Sequence, residues 1–247
     1  MEMLNMKSIP LSLLLFSLLL QAGNCANSAF LFHFCFSKEN YTANSPYDTN
    51  LNELFDLLST KVPPTGFGFD TITGKCQNQV SGLALCRGDV SSENCKSCIN
   101  DASKELRKRC PNKKDAIIWY DYCFLKYSNE YFFGEIDTKN KFFLLNGNKV
   151  DNSKTFNPKV NELLSSLAKK ATATPKLYAT GDLKLEGSET LYGLAQCTRD
   201  LSGPDCKKCL DVAISEVPNC CDGQRGGRTV GGSCNVRYEL YPIVDAS

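Results

Sequence analysis

Five cysteines occur twice along this chain with the same spacing. The run Cys86-x8-Cys95-x2-Cys98-x11-Cys110-x12-Cys123 is repeated 111 residues later by Cys197, Cys206, Cys209, Cys221 and Cys234. The residues between the cysteines agree as well, since Gly82-Leu83-Ala84 matches Gly193-Leu194-Ala195. Coinciding spacings and intervening residues indicate a duplicated domain.

Each copy is predicted to contain a helix around its C-x2-C pair. In the first copy the apolar positions of this helix recur every three or four residues, at Cys95, Cys98, Ile99, Ala102 and Leu106. This spacing places them on one buried face of a helix. Ser91 and Ser202 stand where an N-cap residue is needed. The C-x2-C pair is therefore expected to face inward.

Two further elements are predicted from the pattern. The segment 116–127 (AIIWYDYCFLKY) is rich in branched and aromatic residues and lacks Gly and Pro, which predicts one long strand buried on both faces. A second helix in the first copy carries Leu51, Leu54, Phe55 and Leu58. Its counterpart is predicted over 157–168, with Asn157 as N-cap and Pro158 in the first turn.

Size and composition limit the class of protein. A chain of 247 residues is long enough for two domains of roughly 100 residues each. The net charge of +1 provides no long-range field for nucleic acid, so no nucleic-acid partner is predicted. Fourteen cysteines against one histidine favour disulfides over a metal site, and no metal or cofactor is predicted.

Residues 1–26 have the features of a secretory signal peptide. Lys7 precedes an apolar core at 9–20 that is too short to span a bilayer, and no later segment reaches 18 apolar residues. We therefore expect an extracellular protein without a membrane span. Asn40-Tyr41-Thr42 is the only N-glycosylation sequon and lies in a polar stretch, so Asn40 is the predicted glycan site.

Several motifs together resemble a known family. They are the C-x8-C-x2-C core, the step Arg87-Gly88-Asp89, the run at 119–123 (WYDYC) and the closing run at 234–239 (CNVRYE). The chain resembles the plant cysteine-rich repeat secretory proteins, which consist of two ginkbilobin-type, or salt-stress-response/antifungal, domains. The resemblance implies an α+β fold with two tandem disulfide-stapled domains, 27–136 and 137–245, each with two helices packed on an antiparallel sheet.

The resemblance also implies a disulfide pairing that the cysteine count alone leaves open. The implied bridges are Cys35–Cys110, Cys86–Cys95, Cys98–Cys123, Cys197–Cys206 and Cys209–Cys234. The third bridge of the second domain does not carry over, because the chain has no counterpart of Cys35 there. Cys220 and Cys221 either form a vicinal disulfide, which we favour, or one of them pairs with Cys76. A free Cys76 would allow a covalent homodimer.

The family resemblance implies a secreted, non-catalytic protein of the apoplast with a lectin-like or antifungal defence role. In a ginkbilobin-type site, mannose is held by an Asn after the first cysteine, an Arg six residues before the last cysteine and a Glu five residues after it. The first domain has Phe36, Ile117 and Ser128 at these positions, so no site is expected there. The second keeps Arg228 and Glu239 but not the cysteine-Asn element, so at most two-thirds of a site is expected there.

Two other functions are considered. A module that docks on a cell-surface protein or on itself would use an exposed aromatic patch, for which the candidates are Tyr131, Phe132, Phe133, Phe142 and Phe143. The same residues also suit an interdomain core, which we favour. A redox enzyme would use Cys95 and Cys98, but their place on the buried stripe gives no exposed thiolate, and His33 is the only imidazole. The chain is therefore not predicted to be an enzyme.

Overall fold

The computed structural model describes residues 28–73 and 78–244, so the predicted signal peptide, Cys25 and Cys76 lie outside the described residues. The first half contains β1 (Phe30–Cys35), α1 (Pro46–Lys61), β2 (Phe67–Ile72), β3 (Val80–Cys86), α2 (Ser92–Arg109), β4 (Ala116–Tyr120) and β5 (Cys123–Ser128). The second half has the same order, with β6 (Lys141–Leu145), α3 (Ser153–Thr172), β7 (Tyr178–Lys184), β8 (Thr190–Cys197), α4 (Gly203–Cys221), β9 (Gly226–Gly231) and β10 (Cys234–Glu239).

Each half forms one antiparallel five-stranded sheet with two helices. The strand orders are β1-β4-β5-β3-β2 and β6-β9-β10-β8-β7, so the two sheets have the same topology. The helices and one sheet face enclose one hydrophobic core per half. The predicted α+β fold and the tandem duplication are confirmed. No helix in the two described ranges combines the length and apolar character that a bilayer crossing needs.

The helix with the C-x2-C pair begins as predicted in both copies. The Ser91 hydroxyl accepts a hydrogen bond from Asn94 N, and the Ser202 hydroxyl accepts one from Asp205 N. Each contact satisfies an amide that the first helical turn leaves unpaired. Cys95 and Cys98 are buried, as the apolar stripe requires.

The single strand predicted over 116–127 is wrong. β4 ends at Tyr120 and β5 begins at Cys123, and the two strands form an antiparallel hairpin. The intervening residues are held by the start of the chain, because Asp121 N donates to Ala29 O and Tyr122 N donates to the Ser28 hydroxyl, both at 2.8 Å. Burial on both faces was predicted correctly, since Ile118 lies in the helix-side core and Ile117 in a cluster on the opposite side.

The predicted start of the second-copy helix is also wrong. α3 begins at Ser153, with Asn152 as N-cap accepting hydrogen bonds from Lys154 N and Thr155 N. Asn157 and Pro158 therefore lie inside the helix. The Asn157 side chain has a different role, because its amide donates to Asp222 and its carbonyl oxygen accepts from Gly223 N after α4.

Six disulfides join the described cysteines. The first half has Cys35–Cys110, Cys86–Cys95 and Cys98–Cys123, and the second has Cys197–Cys206, Cys209–Cys234 and the vicinal pair Cys220–Cys221. These are the pairs that the family resemblance implies, together with the favoured vicinal bond. Cys95 and Cys98 each pair outside the C-x2-C motif, so this motif is not a dithiol redox pair.

The two halves pack through a third apolar cluster. Its buried members are Leu83, Leu85, Ile117, Trp119, Phe124 and Val230, and Phe132, Phe133 and Phe142 pack against it. Trp119 Nε1 donates to Gly231 O across the boundary at 3.1 Å. The predicted interdomain core therefore includes three of the five aromatic candidates, whereas Tyr131 is 65% exposed and Phe143 is 38% exposed.

Candidate functional site

The hairpin of β9 and β10 brings Arg228 and Glu239 to one face. Arg228 pairs in register with Arg237, and Glu239 lies two residues beyond Arg237 on the same side of the strand. Arg228 and Glu239 are eleven positions apart, and on one uninterrupted strand an odd separation would place them on opposite faces. They share a face because the chain turns at Gly232 and Ser233, between β9 and β10. Arg228 and Glu239 are the two candidate residues expected from the sequence, and Arg237 is a third charged side chain that was not expected.

These side chains line a cavity of about 350 Å³ at the boundary between the halves. Its first-half wall consists of Ala29, Leu31 and Asp121, and its second-half wall consists of Leu144, Leu145, Asn146, Arg228, Arg237, Glu239 and Tyr241. The lining thus combines aliphatic and aromatic surface with convergent charged and amide groups. Such a combination is typical of sites for small polar ligands.

Asn146 stands at the position that corresponds to the Asn of a ginkbilobin-type site. The cysteine spacing of 111 aligns Asn146 with Cys35. The strand register differs by one residue, because Cys35 pairs with Ala116 whereas Leu145 pairs with Gly227, the counterpart of Ala116. Leu145 is therefore the structural counterpart of Cys35, and Asn146 follows it directly. The second domain therefore has Leu145 in place of the cysteine of the cysteine-Asn element, but an Asn does stand at the position after it.

Asn146 is anchored by its own backbone. Its N–H donates to Gly226 O at 2.9 Å, and its side-chain oxygen accepts from Asn148 N at 3.0 Å. Among the described residues no acceptor contacts its side-chain NH₂ group, which can donate to a ligand.

Arg228 connects the cavity to the other half of the molecule. Its Nη1 donates to Asp121 Oδ1 at 2.7 Å, and Asp121 also accepts from Arg237 Nη1 at 3.3 Å and from Arg87 Nη1 at 3.1 Å. Burial lowers the pKa of Arg228 to about 10, and the charge of Asp121 acts in the opposite direction, so the guanidinium stays protonated at neutral pH. Asp121 was missed as a charged partner. The sequence contained one indication of its role: the corresponding residue of the second copy is Gly232, which has no side chain, so the carboxylate at this position is not a feature that the two copies share.

Two polar atoms of the site have no hydrogen-bond partner among the described residues. They are Arg228 Nε and Glu239 Oε2, both buried. Glu239 Oε1 is engaged, since it accepts from Arg237 Nε at 3.2 Å. The Glu239 carboxylate lies over Gly226, where an added Cβ would come within 1.8 Å of Oε2. The candidate site therefore has one donor, Arg228 Nε, and one acceptor, Glu239 Oε2, without a partner among the described residues. The two residues lie on the neighbouring strands β9 and β10.

The described residues of the first half do not form an equivalent cavity with these side chains. Ile117 replaces the arginine and is fully buried in the interdomain cluster. Ser128 replaces the glutamate, and its hydroxyl donates to Asp115 at 2.7 Å.

Two other candidate positions can be placed. Among the described residues, one group with metal-ligating atoms close together is His33, Cys35 and Cys110, but both cysteines are in a disulfide and offer no thiolate. Asn40 is exposed and bridges to Lys113 through its backbone, which leaves the sequon accessible at the surface.

Comparison with known proteins agrees with this architecture. The family model "salt stress response/antifungal" matches residues 34–130 and 145–241. An antimicrobial ginkbilobin-2-like protein of Castanea crenata is 68% identical over 99% of this chain and 100% of its own length. Cysteine-rich repeat secretory protein 38 of Arabidopsis thaliana is 55% identical over 88% of this chain and 87% of its own length.

Solved structures with the same fold are also known. The tandem DUF26 ectodomain of the Arabidopsis thaliana cysteine-rich receptor-like protein PDLP8 has a TM-score of 0.77 at 26% identity, covering 87% of this chain and 100% of its own. The corresponding ectodomain of PDLP5 has a TM-score of 0.71 at 25% identity. The names of the sequence relatives place the protein outside the cell, as the signal sequence predicts. The chain belongs to the salt stress response/antifungal family of secreted cysteine-rich repeat proteins.

Proposed function

We propose that this protein is a non-catalytic lectin-like protein that binds a mannose-type glycan in the cavity of Asn146, Arg228 and Glu239. The observation that carries the proposal is the convergence of these three side chains, of which two present buried polar atoms without a partner. A sugar hydroxyl both donates and accepts, so a guanidinium beside a carboxylate can satisfy it. Leu31, Leu144 and Tyr241 supply apolar surface for the C–H face of the ring.

The affinity of a single sugar should be weak. Arg228 already donates to Asp121, which also accepts from two other arginines. A ligand can therefore form hydrogen bonds only with the N–H groups of Arg228 that Asp121 does not use. We expect a dissociation constant on the order of millimolar, equivalent to about 4 kcal/mol. A polymeric glycan such as mannan would bind more tightly through repeated contacts.

The test is an NMR titration of the secreted, disulfide-intact protein with mannose and mannan. Asn146→Ala and Glu239→Gln should each abolish the chemical-shift changes of the second half. Glu189→Gln is the matched control, because Glu189 is an exposed acid paired with Arg225 away from the cavity. Arg228→Ala is unsuitable as the main test, since it also breaks the contact with Asp121. Binding that survives Asn146→Ala and Glu239→Gln together would place the site elsewhere.

Docking on another extracellular protein is the second candidate function. Apolar side chains are exposed on the edge strands β1 and β6, at Phe30, Phe32, Leu144 and Leu145. One relative is a cysteine-rich receptor-like protein kinase of Arabidopsis thaliana, 37% identical, and this chain spans 33% of its length. Sedimentation velocity of the wild type and of Leu145→Asp would test self-association. Dimers that disappear only under reducing conditions would instead indicate a covalent link through Cys76.

A further inference from the structure

A second cavity of about 400 Å³ lies in the second half, on the helix side of the sheet. It is enclosed by α4, by β9 and β10, and by the segment 134–138 that joins the two halves. It shares no lining residue with the cavity of Asn146, Arg228 and Glu239. Its volume falls within the range of about 300–1,000 Å³ that small-molecule sites occupy.

The joining segment is fixed against the second half. Asp137 N donates to the Ser233 hydroxyl at 2.8 Å, and this hydroxyl donates to Glu135 O at 3.3 Å. The Asp137 carboxylate accepts from Lys126 Nζ of the first half at 2.7 Å. Hydrogen bonds and an ion pair therefore hold the wall that this segment contributes to the cavity.

The helix α4 contributes one stripe of side chains to the lining. Four of these residues are three or four positions apart, which places them on one face of the helix. They are Asp205, Cys209, Val212 and Glu216. The middle of the stripe is apolar, since Cys209 is in a disulfide and Val212 is 48% exposed, and a carboxylate stands at each end. Ile136 of the joining segment adds further apolar surface.

The carboxylates of the lining outnumber its lysines. The lining has four carboxylates and two lysines, namely Glu135, Asp137, Asp205, Glu216, Lys141 and Lys208. Glu216 pairs with Lys141, and Asp137 pairs with Lys126, which lies outside the lining. Glu135 and Asp205 remain against Lys208, and none of these three forms an ion pair within the described ranges. Two carboxylates against one lysine leave an excess of one negative charge.

A buried hydroxyl without a partner lines the same cavity. Thr229 on β9 is 2% exposed, and its Oγ1 has no hydrogen-bond partner among the described residues. Leaving a buried hydroxyl unpaired costs free energy, and its oxygen can accept a hydrogen bond from a ligand. The corresponding residue of the first copy is Ile118, which is fully buried in the core of that half. The second copy thus has an acceptor where the first has a packed aliphatic side chain.

We propose that this cavity binds a small amphipathic organic cation, a primary amine with an apolar or aromatic body. The body would lie against Val212 and Ile136, and the ammonium group would donate to the Thr229 hydroxyl. The charge of the ammonium group would be balanced by Glu135 and Asp205. The ligand class follows from the apolar stripe, the unpartnered acceptor and the excess of negative charge. The proposal does not depend on the sugar site, since no residue lines both cavities.

The experiment compares three probes that have the same phenyl group and differ in charge. They are 2-phenylethylamine, 2-phenylethanol and 3-phenylpropanoate, each titrated by NMR into the disulfide-intact protein at low salt. We expect the amine to bind at one site per chain, with chemical-shift changes at Val212 and Thr229, and to bind at least about fivefold more tightly than the alcohol. The carboxylate should bind more weakly than the alcohol, because the lining has an excess of negative charge.

One pair of variants tests the hydroxyl. Thr229→Val replaces the unpaired hydroxyl with a methyl group of the same shape, so the free energy of unfolding should stay the same or rise. This variant should bind the amine about tenfold more weakly, the effect of losing a hydrogen bond to a charged group. Thr229→Ser is the matched control, because it keeps the hydroxyl, and its affinity should stay within about threefold of the wild type.

A second pair of variants tests the charge. Glu135→Gln with Asp205→Asn should weaken amine binding by about fivefold. Glu53→Gln with Asp56→Asn is the matched control, because it removes two exposed acids of α1 that lie outside the lining, and it should change the affinity by less than about twofold. Equal affinities for the amine, the alcohol and the carboxylate, unchanged binding in Thr229→Val, or equal effects of the two double variants would each overturn the proposal.

Discussion

Replacing Asp121 with asparagine would remove a carboxylate that three arginines share between the halves. Two of these arginines have another charged partner, since Arg87 also pairs with Asp89 and Arg237 also pairs with Glu239. Arg228 has no second ion pair among the described residues, and its side chain is only 10% exposed. Asp121→Asn would therefore leave Arg228 as a buried cation without a counter-charge.

The expected loss follows from the degree of burial. Removing one partner of a fully buried ion pair costs about 3–5 kcal/mol, whereas an exposed pair contributes at most about 1 kcal/mol. The Asp121 side chain is 25% exposed, and asparagine still offers a carbonyl oxygen to Arg228. We therefore expect the free energy of unfolding to fall by about 2 kcal/mol. For a chain of this size, this lowers the melting temperature by about 4–8 °C.

Urea unfolding followed by tryptophan fluorescence would measure this loss. Trp119 is the only tryptophan of the chain and lies in the interdomain cluster, so its emission reports on that contact. Asp70→Asn is the matched control, because it removes the exposed pair with Lys61 and should cost less than about 0.5 kcal/mol. Equal losses in the two variants, or unfolding without a shift of the Trp119 emission, would refute the reasoning.

Three further predictions concern other parts of the chain. Asn40→Gln should increase the electrophoretic mobility of protein secreted from plant cells, because it removes the one sequon. Replacing both Cys35 and Cys110 with serine opens a loop with a sequence separation of 75 and should lower the free energy of unfolding by up to about 4.5 kcal/mol, measured by urea denaturation. Burial raises the pKa of Asp137. The charge of Lys126, whose Nζ lies 2.7 Å from the carboxylate, and the hydrogen bonds to Asp137 lower the pKa by more than burial raises it, so the pKa is below its usual range. The ion pair of Asp137 and Lys126 contributes its full stability above the unfolded-state pKa of about 3.9, and this contribution is lost as the pH falls through the lower folded-state pKa. The free energy of unfolding of Asp137→Asn should therefore decrease less between neutral pH and pH values below about 4 than that of the wild type.

The elements that could be predicted are those whose signals are local. The Ser91 and Ser202 caps and the apolar stripe of the C-x2-C helices follow from spacing within one segment, and the duplication follows from the same local spacings in two segments. The hairpin turn at Asp121 was missed, because a single Asp is the one turn-forming residue between the strands and the turn is held by contacts with Ala29 and Ser28 far away in sequence. The start of α3 was misplaced because Asn157 followed by Pro158 has the features of a helix start, whereas Asn152 makes the capping contacts.

The site was only partly accessible from the sequence for a similar reason. Arg228 and Glu239 could be aligned through Cys234, which lies between them and has a counterpart in the first copy. Asn146 could not be aligned in this way, because the first cysteine of the pattern is absent from the second half. Only the pairing of Leu145 with Gly227 gives the correct register, and that pairing is a property of the sheet.

The two copies have diverged on the sheet face that is turned away from their helices. The first copy has Leu85, Ile117, Trp119 and Phe124 on this face, and the corresponding residues of the second are Gln196, Arg228, Val230 and Asn235. The apolar face is buried in the interdomain cluster, so it cannot also bind a polar ligand. The polar face of the second copy could retain a binding site, but Arg228 also pairs with Asp121 across the boundary. A ligand that competes with Asp121 for Arg228 would weaken the contact between the halves. By the same coupling free energy, the contact between the halves would weaken the binding of the ligand. Under the proposed function, the duplication therefore links glycan binding in the second copy to the packing of that copy against the first.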